Sequence, residues 1–109
     1  MNKIIIETVE QFKELENKHD TFLFLKNSIT CPISQGAFDE FNQFISEHNE
    51  VPAYYLNVQT ARELSNYIAD TFQIKHESPQ ILLIKNKEVI WNTSHSKITY
   101  DQIKKAVLQ

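Results

Sequence analysis

The side chain in this chain best suited to covalent chemistry is the thiol of Cys31, in the segment Thr30-Cys31-Pro32-Ile33-Ser34. The apolar residues 21–25 precede it, which predicts a strand, a short loop and a helix that begins at the cysteine. Pro32 suits the first helical turn, because its fixed φ matches the helix and its missing N–H is not needed there. The unpaired N–H groups and positive dipole end of that helix favour the thiolate, which is the reactive form. The segment therefore predicts a nucleophile.

Ser34 lies one helical turn after Cys31, so we expect its hydroxyl to reach the sulfur with a hydrogen bond. A hydroxyl does not displace a disulfide sulfur, and Cys31 is the only cysteine of the chain. A mixed disulfide on Cys31 must then wait for a thiol from outside the protein. These residues predict thiol–disulfide exchange of the monothiol kind.

Each of these residues also has a structural interpretation. A lone cysteine is most often a buried small hydrophobe, and a lone serine on a helix usually faces solvent. Lys26, at the end of the predicted strand, either places positive charge near a carboxylate of a bound thiol or is a solvated strand-end lysine. Gly36 is interpreted as permitting close packing of the second helix.

The four histidines, His19, His48, His76 and His95, are scattered without metal-ligand spacing, so we expect no metal site. His76 lies close to Pro79 in sequence, and His95 precedes the last predicted helix. Both are minor candidates for approaching the thiol.

Composition predicts one globular domain over residues 1–109, with 41% hydrophobic and 23% charged residues. The net charge of −3 is spread along the chain, which gives no indication of a nucleic-acid or membrane partner. No apolar stretch approaches the ~20 residues of a membrane-spanning helix, and the N-terminus does not resemble a signal peptide. A single cysteine forms no internal disulfide, so we expect a cytoplasmic protein, with no bound cofactor.

Periodicity predicts five strands and four helices. The predicted strands are residues 3–7, 21–26, 52–58, 80–84 and 88–92. The predicted helices are residues 8–18, 32–47, 61–71 and one that begins at Thr99. Thr8 with Gln11, and Thr99 with Gln102, form capping boxes. The order βαβαβαββα predicts an α/β fold, with a central mixed sheet of four or five strands flanked by helices.

This order, with a cysteine opening the second helix and Pro79 just before the hairpin, resembles the thioredoxin fold. Within that superfamily the chain resembles the monothiol bacilliredoxins, whose active-site motif is the Thr-Cys-Pro-Ile-Ser of residues 30–34. The resemblance implies an oxidoreductase of redox homeostasis that removes bacillithiol from mixed disulfides on proteins. Bacillithiol is then a co-substrate, and S-bacillithiolated proteins are the partners.

The resemblance also assigns residues. It implies that Cys31 is the nucleophile and that Pro79 is the cis-proline facing it. The backbone of Ser78 would then pair with an extended substrate, and Thr30, Pro32, Ile33 and Ser34 would complete the substrate-binding surface. The dithiol form of the motif has cysteine in place of Ser34. Residues 93–96 lie where glutaredoxins carry a glycine-containing pair, and they contain no glycine.

Two other functions remain open at the level of sequence. One is a non-catalytic thioredoxin-fold module that binds proteins through the Pro79 face. The other is a glutaredoxin-like protein that bridges an iron–sulfur cluster through Cys31 of two subunits. Monothiol glutaredoxins of that kind carry glycine where Pro32 stands.

Overall fold

The computed structural model describes residues 3–108, which form five strands and four α-helices. The strands are β1 (Lys3–Ile5), β2 (Thr21–Asn27), β3 (Ala53–Asn57), β4 (Gln80–Lys85) and β5 (Glu88–Ser94). The helices are α1 (Val9–Lys18), α2 (Pro32–Glu47), α3 (Arg62–Phe72) and α4 (Tyr100–Val107). A short 3-10 helix, His95–Lys97, precedes α4.

The five strands form one mixed sheet in the order β1-β3-β2-β4-β5. Strands β1, β3 and β2 are parallel, whereas β4 is antiparallel to both β2 and β5. Asn86 and Lys87 turn the β4–β5 hairpin with φ of 52° and 66°, as a two-residue turn matching the strand twist requires. The predicted α/β fold, with a mixed sheet of five strands, is confirmed.

Strand β2 is buried on both faces of the sheet, and its side chains divide between two cores. Phe22 and Phe24 pack with α1 and α3 in one core, and Leu23 and Leu25 pack with α2 and α4 in the other. This alternation follows from the two-residue period of a strand. A strand that is covered on both faces has a continuous apolar sequence, which is why residues 21–25 are all apolar or β-branched. The reactive segment therefore leaves from the most enclosed strand of the sheet.

The helix starts follow the predicted capping residues. Thr8 accepts a hydrogen bond from the backbone N–H of Gln11, whose side chain completes the capping box. Thr99 accepts a hydrogen bond from the N–H of Gln102. Helix α2 begins at Pro32 with Cys31 at its N-cap, as predicted.

The interpretation of Gly36 as a packing residue is wrong. Gly36 lies on the exposed face of α2, and a Cβ built there would meet nothing within 4 Å. Within residues 3–108, none of the helices has both the length and the apolar character needed to cross a membrane.

Candidate active site

Cys31 lies where the chain leaves the C-terminal end of β2 and enters α2. Its backbone is extended (φ −104°, ψ 122°), and Pro32 occupies the first helical position. The residue is partly exposed, so the interpretation as a buried hydrophobe is wrong. The first turn of α2 contains no acidic side chain, so no carboxylate of that turn opposes negative charge on the sulfur.

The Ser34 side chain holds the loop in front of the cysteine. Its hydroxyl is fully buried and accepts a hydrogen bond from the Ser28 N–H at 3.3 Å. The Ser34 N–H donates to the Cys31 carbonyl at 3.0 Å, which closes the first turn. The interpretation as a solvent-facing serine is therefore wrong. The expected hydrogen bond to the Cys31 sulfur is not found among the described residues: the Ser34 hydroxyl bonds instead with the Ser28 backbone.

Gln59, in the connection between β3 and α3, clamps the same loop from the other side. Its Oε1 accepts from the Ile29 N–H at 3.1 Å, and its Nε2 donates to Ser28 Oγ at 2.8 Å and to Thr30 Oγ1 at 3.1 Å. One side chain thus fixes three consecutive residues before Cys31. No local pattern in the sequence indicates this role, because the partners are about thirty residues away.

The Ser78–Pro79 peptide bond is cis, as the resemblance implies. Lys26 of β2 pairs with Gln80 of β4, so Pro79 lies at the end of the sheet from which the Cys31 loop leaves. Pro79 is buried and Ser78 is half-buried. Ser78 Oγ is enclosed and has no hydrogen-bond partner among the described residues.

His95 anchors the chain against the Pro79 loop. Its N–H donates to the Pro79 carbonyl at 3.0 Å, and its Nε2 lies 3.2 Å from a Glu77 carboxylate oxygen. Its φ of 56° is in the left-handed region that glycine adopts more readily. A residue of the glycine-free segment 93–96 thus adopts the backbone conformation that glycine favours.

Lys26 is fully buried, so the interpretation as a solvated strand-end lysine is wrong. Its placing positive charge near a carboxylate of a bound thiol stays a prediction. Its ammonium donates to the Ser65 carbonyl at 3.0 Å and lies 3.3 Å from His76 Nδ1, which is 3.2 Å from Ser65 Oγ. Burial lowers the pKa of Lys26 to about 8. The pKa of His76 is also lowered, first by desolvation and then by the nearby Lys26 charge. This cluster ties the loop before Pro79 to α3.

A pocket of about 430 Å³ opens beside Cys31. Residues of the β2–α2 connection and the first half of α2 line it, among them Thr30, Pro32 and the thiol-bearing residue itself. Ile33 points elsewhere, with 52% of its surface exposed. Among residues 3–108, no group of three or more His, Cys, Asp or Glu side chains is arranged to hold a metal ion.

The family of the chain follows from a comparison with protein-family models. Residues 4–103 match the model for "Monothiol bacilliredoxin BrxC". The chain belongs to the monothiol bacilliredoxin family. The bacilliredoxin assignment agrees with its single cysteine, and with the Thr-Cys-Pro-Ile-Ser motif on which the resemblance was based.

Solved structures give the fold of this bacilliredoxin. A structure described as "a putative oxidoreductase with a thioredoxin fold" is 39% identical, with a TM-score of 0.91, and the match covers 96% of this chain and 93% of that one. Reduced Schistosoma mansoni thioredoxin preprotein is 14% identical, with a TM-score of 0.78 and coverage of 99% and 97%. Fasciola hepatica thioredoxin is 13% identical, with a TM-score of 0.77 and coverage of 95% of each chain. The thioredoxins match in fold alone.

The bacilliredoxin family and the thioredoxin-like fold together make this protein a thiol oxidoreductase. The structure brings Cys31, Thr30, Pro32 and Ser34 together at one helix terminus, and places Ser78 and Pro79 at the same end of the sheet. Gln59 and His95 are the residues of this region whose contacts the sequence did not predict.

Proposed function

We propose that this protein removes bacillithiol from mixed disulfides on other proteins by monothiol exchange through Cys31. One observation carries the proposal: the only cysteine of the chain is partly exposed at the N-cap of α2. A partly exposed sulfur at that position can meet a disulfide carried by another protein. The family match supports the same substrate class.

In the first step the Cys31 thiolate attacks the bacillithiol sulfur of a modified protein. A new S–S bond forms between Cys31 and bacillithiol, and the original S–S bond breaks. The electron pair of the broken bond leaves on the protein sulfur, which takes up a proton from solvent. The protein thiol is restored, and bacillithiol is carried on Cys31.

In the second step the thiolate of another bacillithiol molecule attacks the bacillithiol sulfur on Cys31. Cys31 leaves as thiolate, and bacillithiol disulfide is the product. The external thiol is required because Ser34 supplies no sulfur that closes a ring onto Cys31. Overall, the mixed disulfide and one free bacillithiol are converted into the protein thiol and bacillithiol disulfide, and no bound cofactor is needed.

The modified protein binds over the surface around the thiol. Ile33 offers an exposed apolar side chain on one side, and Thr30 and Pro32 form the rim. The half-buried Ser78 offers backbone groups in the loop just before β4, with which an extended segment pairs as a strand would. Such proteins are cytoplasmic in this proposal, because the mixed disulfide must form beside a reduced thiol pool.

The test follows release of bacillithiol from a reporter protein that carries it on a single cysteine. The wild-type chain, with excess bacillithiol, is expected to restore the reporter thiol at least about a hundredfold faster than bacillithiol alone. Cys31→Ser is expected to reduce the rate to that of bacillithiol alone, and circular dichroism establishes that the variant is folded. A Cys31→Ser protein as fast as the wild type would refute the proposal.

A further inference from the structure

A buried ammonium group lies at the end of the sheet from which the thiol-bearing loop leaves. Lys26, the penultimate residue of β2, is fully buried, although a charged group loses its hydration there. Its ammonium finds acceptors in the Ser65 carbonyl at 3.0 Å and in His76 Nδ1 at 3.3 Å. The first acceptor belongs to α3, and the second belongs to the loop that leads to Pro79. One side chain of β2 therefore contacts two other elements of the structure.

The His76 imidazole is the acceptor in its contact with the ammonium. Lys26, with a pKa of about 8, is largely charged at neutral pH and has only protons to donate. His76 Nδ1 must then present a lone pair, so the ring proton lies on Nε2. Desolvation lowers the pKa of His76, and the nearby Lys26 charge lowers it further, which keeps the ring neutral. Because His76 is itself exposed, this hydrogen bond joins a buried charge to a surface loop.

The loop of residues 73–79 lies beyond the pairing of β4 with β2, which starts at Gln80. Its position therefore depends on contacts outside the sheet ladder. The His95 N–H donates to the Pro79 carbonyl at 3.0 Å, which joins the loop to the 3-10 helix. The hydrogen bond to His76 joins the loop to β2. Strand β2 ends where the thiol-bearing loop begins, so this bond sets the Pro79 loop relative to the strand that carries the thiol.

We propose that Lys26 and His76 are positioning residues for the protein half of the mixed disulfide. Their hydrogen bond fixes the loop before Pro79 against β2, which holds the Ser78 backbone where an extended segment pairs with it. The proposal rests on the thiol exchange proposed above and adds how the backbone that binds the protein half is held. Without the His76 acceptor the loop loses its bond to β2, and the Ser78 backbone is no longer fixed before the substrate arrives.

The test measures binding without turnover. A Cys31→Ser parent lacks the nucleophile, and its affinity for a reporter protein that carries bacillithiol on a single cysteine is measured by calorimetry. His76→Leu in this parent removes the acceptor and is expected to weaken binding about tenfold. His76→Asn places an acceptor oxygen near the position of Nδ1, so its affinity should lie within about threefold of the parent. Thr71→Leu, an exposed position at the end of α3, is the matched control and should bind as the parent does.

A double-mutant cycle determines whether the two residues act together. In a Lys26→Met background the ammonium donor is absent, so adding His76→Leu is expected to change the affinity by less than about twofold. An undiminished effect of His76→Leu in that background would contradict the pairing. Circular dichroism at the assay temperature establishes that each variant is folded. If Lys26→Met is unfolded, the comparison of His76→Leu with His76→Asn decides the question, because His76 is exposed.

The outcomes separate this role from the thiol exchange itself. An affinity that is unchanged in His76→Leu, or that falls equally in His76→Leu and His76→Asn, would overturn the positioning role. If the affinities follow the expected order but the wild-type chain releases no bacillithiol from the reporter, the positioning role stands and the proposed function fails. If the wild-type chain releases bacillithiol and His76→Leu binds as tightly as its parent, the positioning role fails alone.

Discussion

The side chains around Cys31 hold the loop that carries the thiol through hydrogen bonds to one another and to the backbone. Ser34 accepts from the Ser28 N–H at 3.3 Å, and Gln59 binds Ser28, Ile29 and Thr30. The sequence predicted the thiol and its helix, because both depend on neighbours in the chain. It did not predict Gln59 or the burial of Lys26, because their partners come from distant elements.

Replacing Ser34 by cysteine should change the dependence of the reaction on external thiol. In Ser34→Cys a second sulfur lies one helical turn from Cys31, so we expect bacillithiol to leave Cys31 without a second bacillithiol molecule. The measurement is free bacillithiol released from the isolated Cys31 mixed disulfide. Ser34→Ala is the matched control and should release none. Retention of bacillithiol by Ser34→Cys would contradict the monothiol explanation.

Buried Lys26 should make stability rise at alkaline pH. Its pKa is about 8 in the folded protein and ~10.5 when unfolded. Below pH 8 folding therefore buries a charged ammonium, which lowers the free energy of unfolding. As pH rises from about 8 to about 10.5, the unfolded chain holds more protons than the folded one, and the cost is relieved.

Lys26→Met removes this titration while retaining an unbranched side chain. The stability of the wild type minus that of Lys26→Met should rise by about 1–2 kcal/mol between about pH 7 and 9.5. Urea unfolding at the two pH values measures the difference. A difference that stays constant, or falls, would show that the Lys26 ammonium carries no burial cost.

The loop between β2 and α2 depends on an element distant in sequence, the connection between β3 and α3. Gln59→Ala removes the acceptor of the Ile29 N–H and the donors to Ser28 and Thr30, so we expect faster exchange of the Ile29 amide. We also expect an approximately tenfold lower kcat/KM, since the loop positions Cys31. Hydrogen-exchange NMR and the reporter assay measure these changes.

Gln59→Glu is the matched control for this clamp. A carboxylate still accepts from the Ile29 N–H, and it can accept from the Ser28 or Thr30 hydroxyl to which the amide donated, so the Ile29 amide should remain protected. Equal exchange of the Ile29 amide in Gln59→Ala and the wild type would contradict the clamp.

Helix α2 carries a glycine that its packing does not need. Gly36 has a negative φ and open space where a Cβ would lie. Gly36→Ala should therefore stabilise the protein by about 0.5–1 kcal/mol, through helix propensity and a less flexible unfolded chain. Thermal unfolding measures the gain. A loss of stability would contradict the open space at the Gly36 Cβ position.

The types of the helices and strands were predictable because hydrophobic periodicity and capping residues are local features of the sequence. The hydrophobic spacing of α1 and the continuous apolar run of β2 each lie within one window of sequence. The 3-10 helix His95–Lys97 was not predicted. It depends on His95 adopting a left-handed backbone and donating to the Pro79 carbonyl, and no local residue pattern specifies that contact.

Across the whole molecule, the sheet brings two segments that are distant in sequence to one end. Strand β2 pairs with both β3 and β4, so the Cys31 loop lies between the Gln59 connection and the Pro79 loop. The overall fold was predictable because an apolar strand with helices on both sides permits few arrangements. The pocket beside Cys31 was not predictable, since its shape depends on side chains that pack only in the folded chain.

A single-turnover experiment tests the central claim most directly. The bacillithiolated reporter is mixed with a molar excess of this protein, without free bacillithiol, and intact masses are recorded over time. We expect bacillithiol to move from the reporter to Cys31, with one adduct formed for each reporter thiol restored. A restored reporter with no adduct on Cys31, or the same transfer by Cys31→Ser, would contradict it.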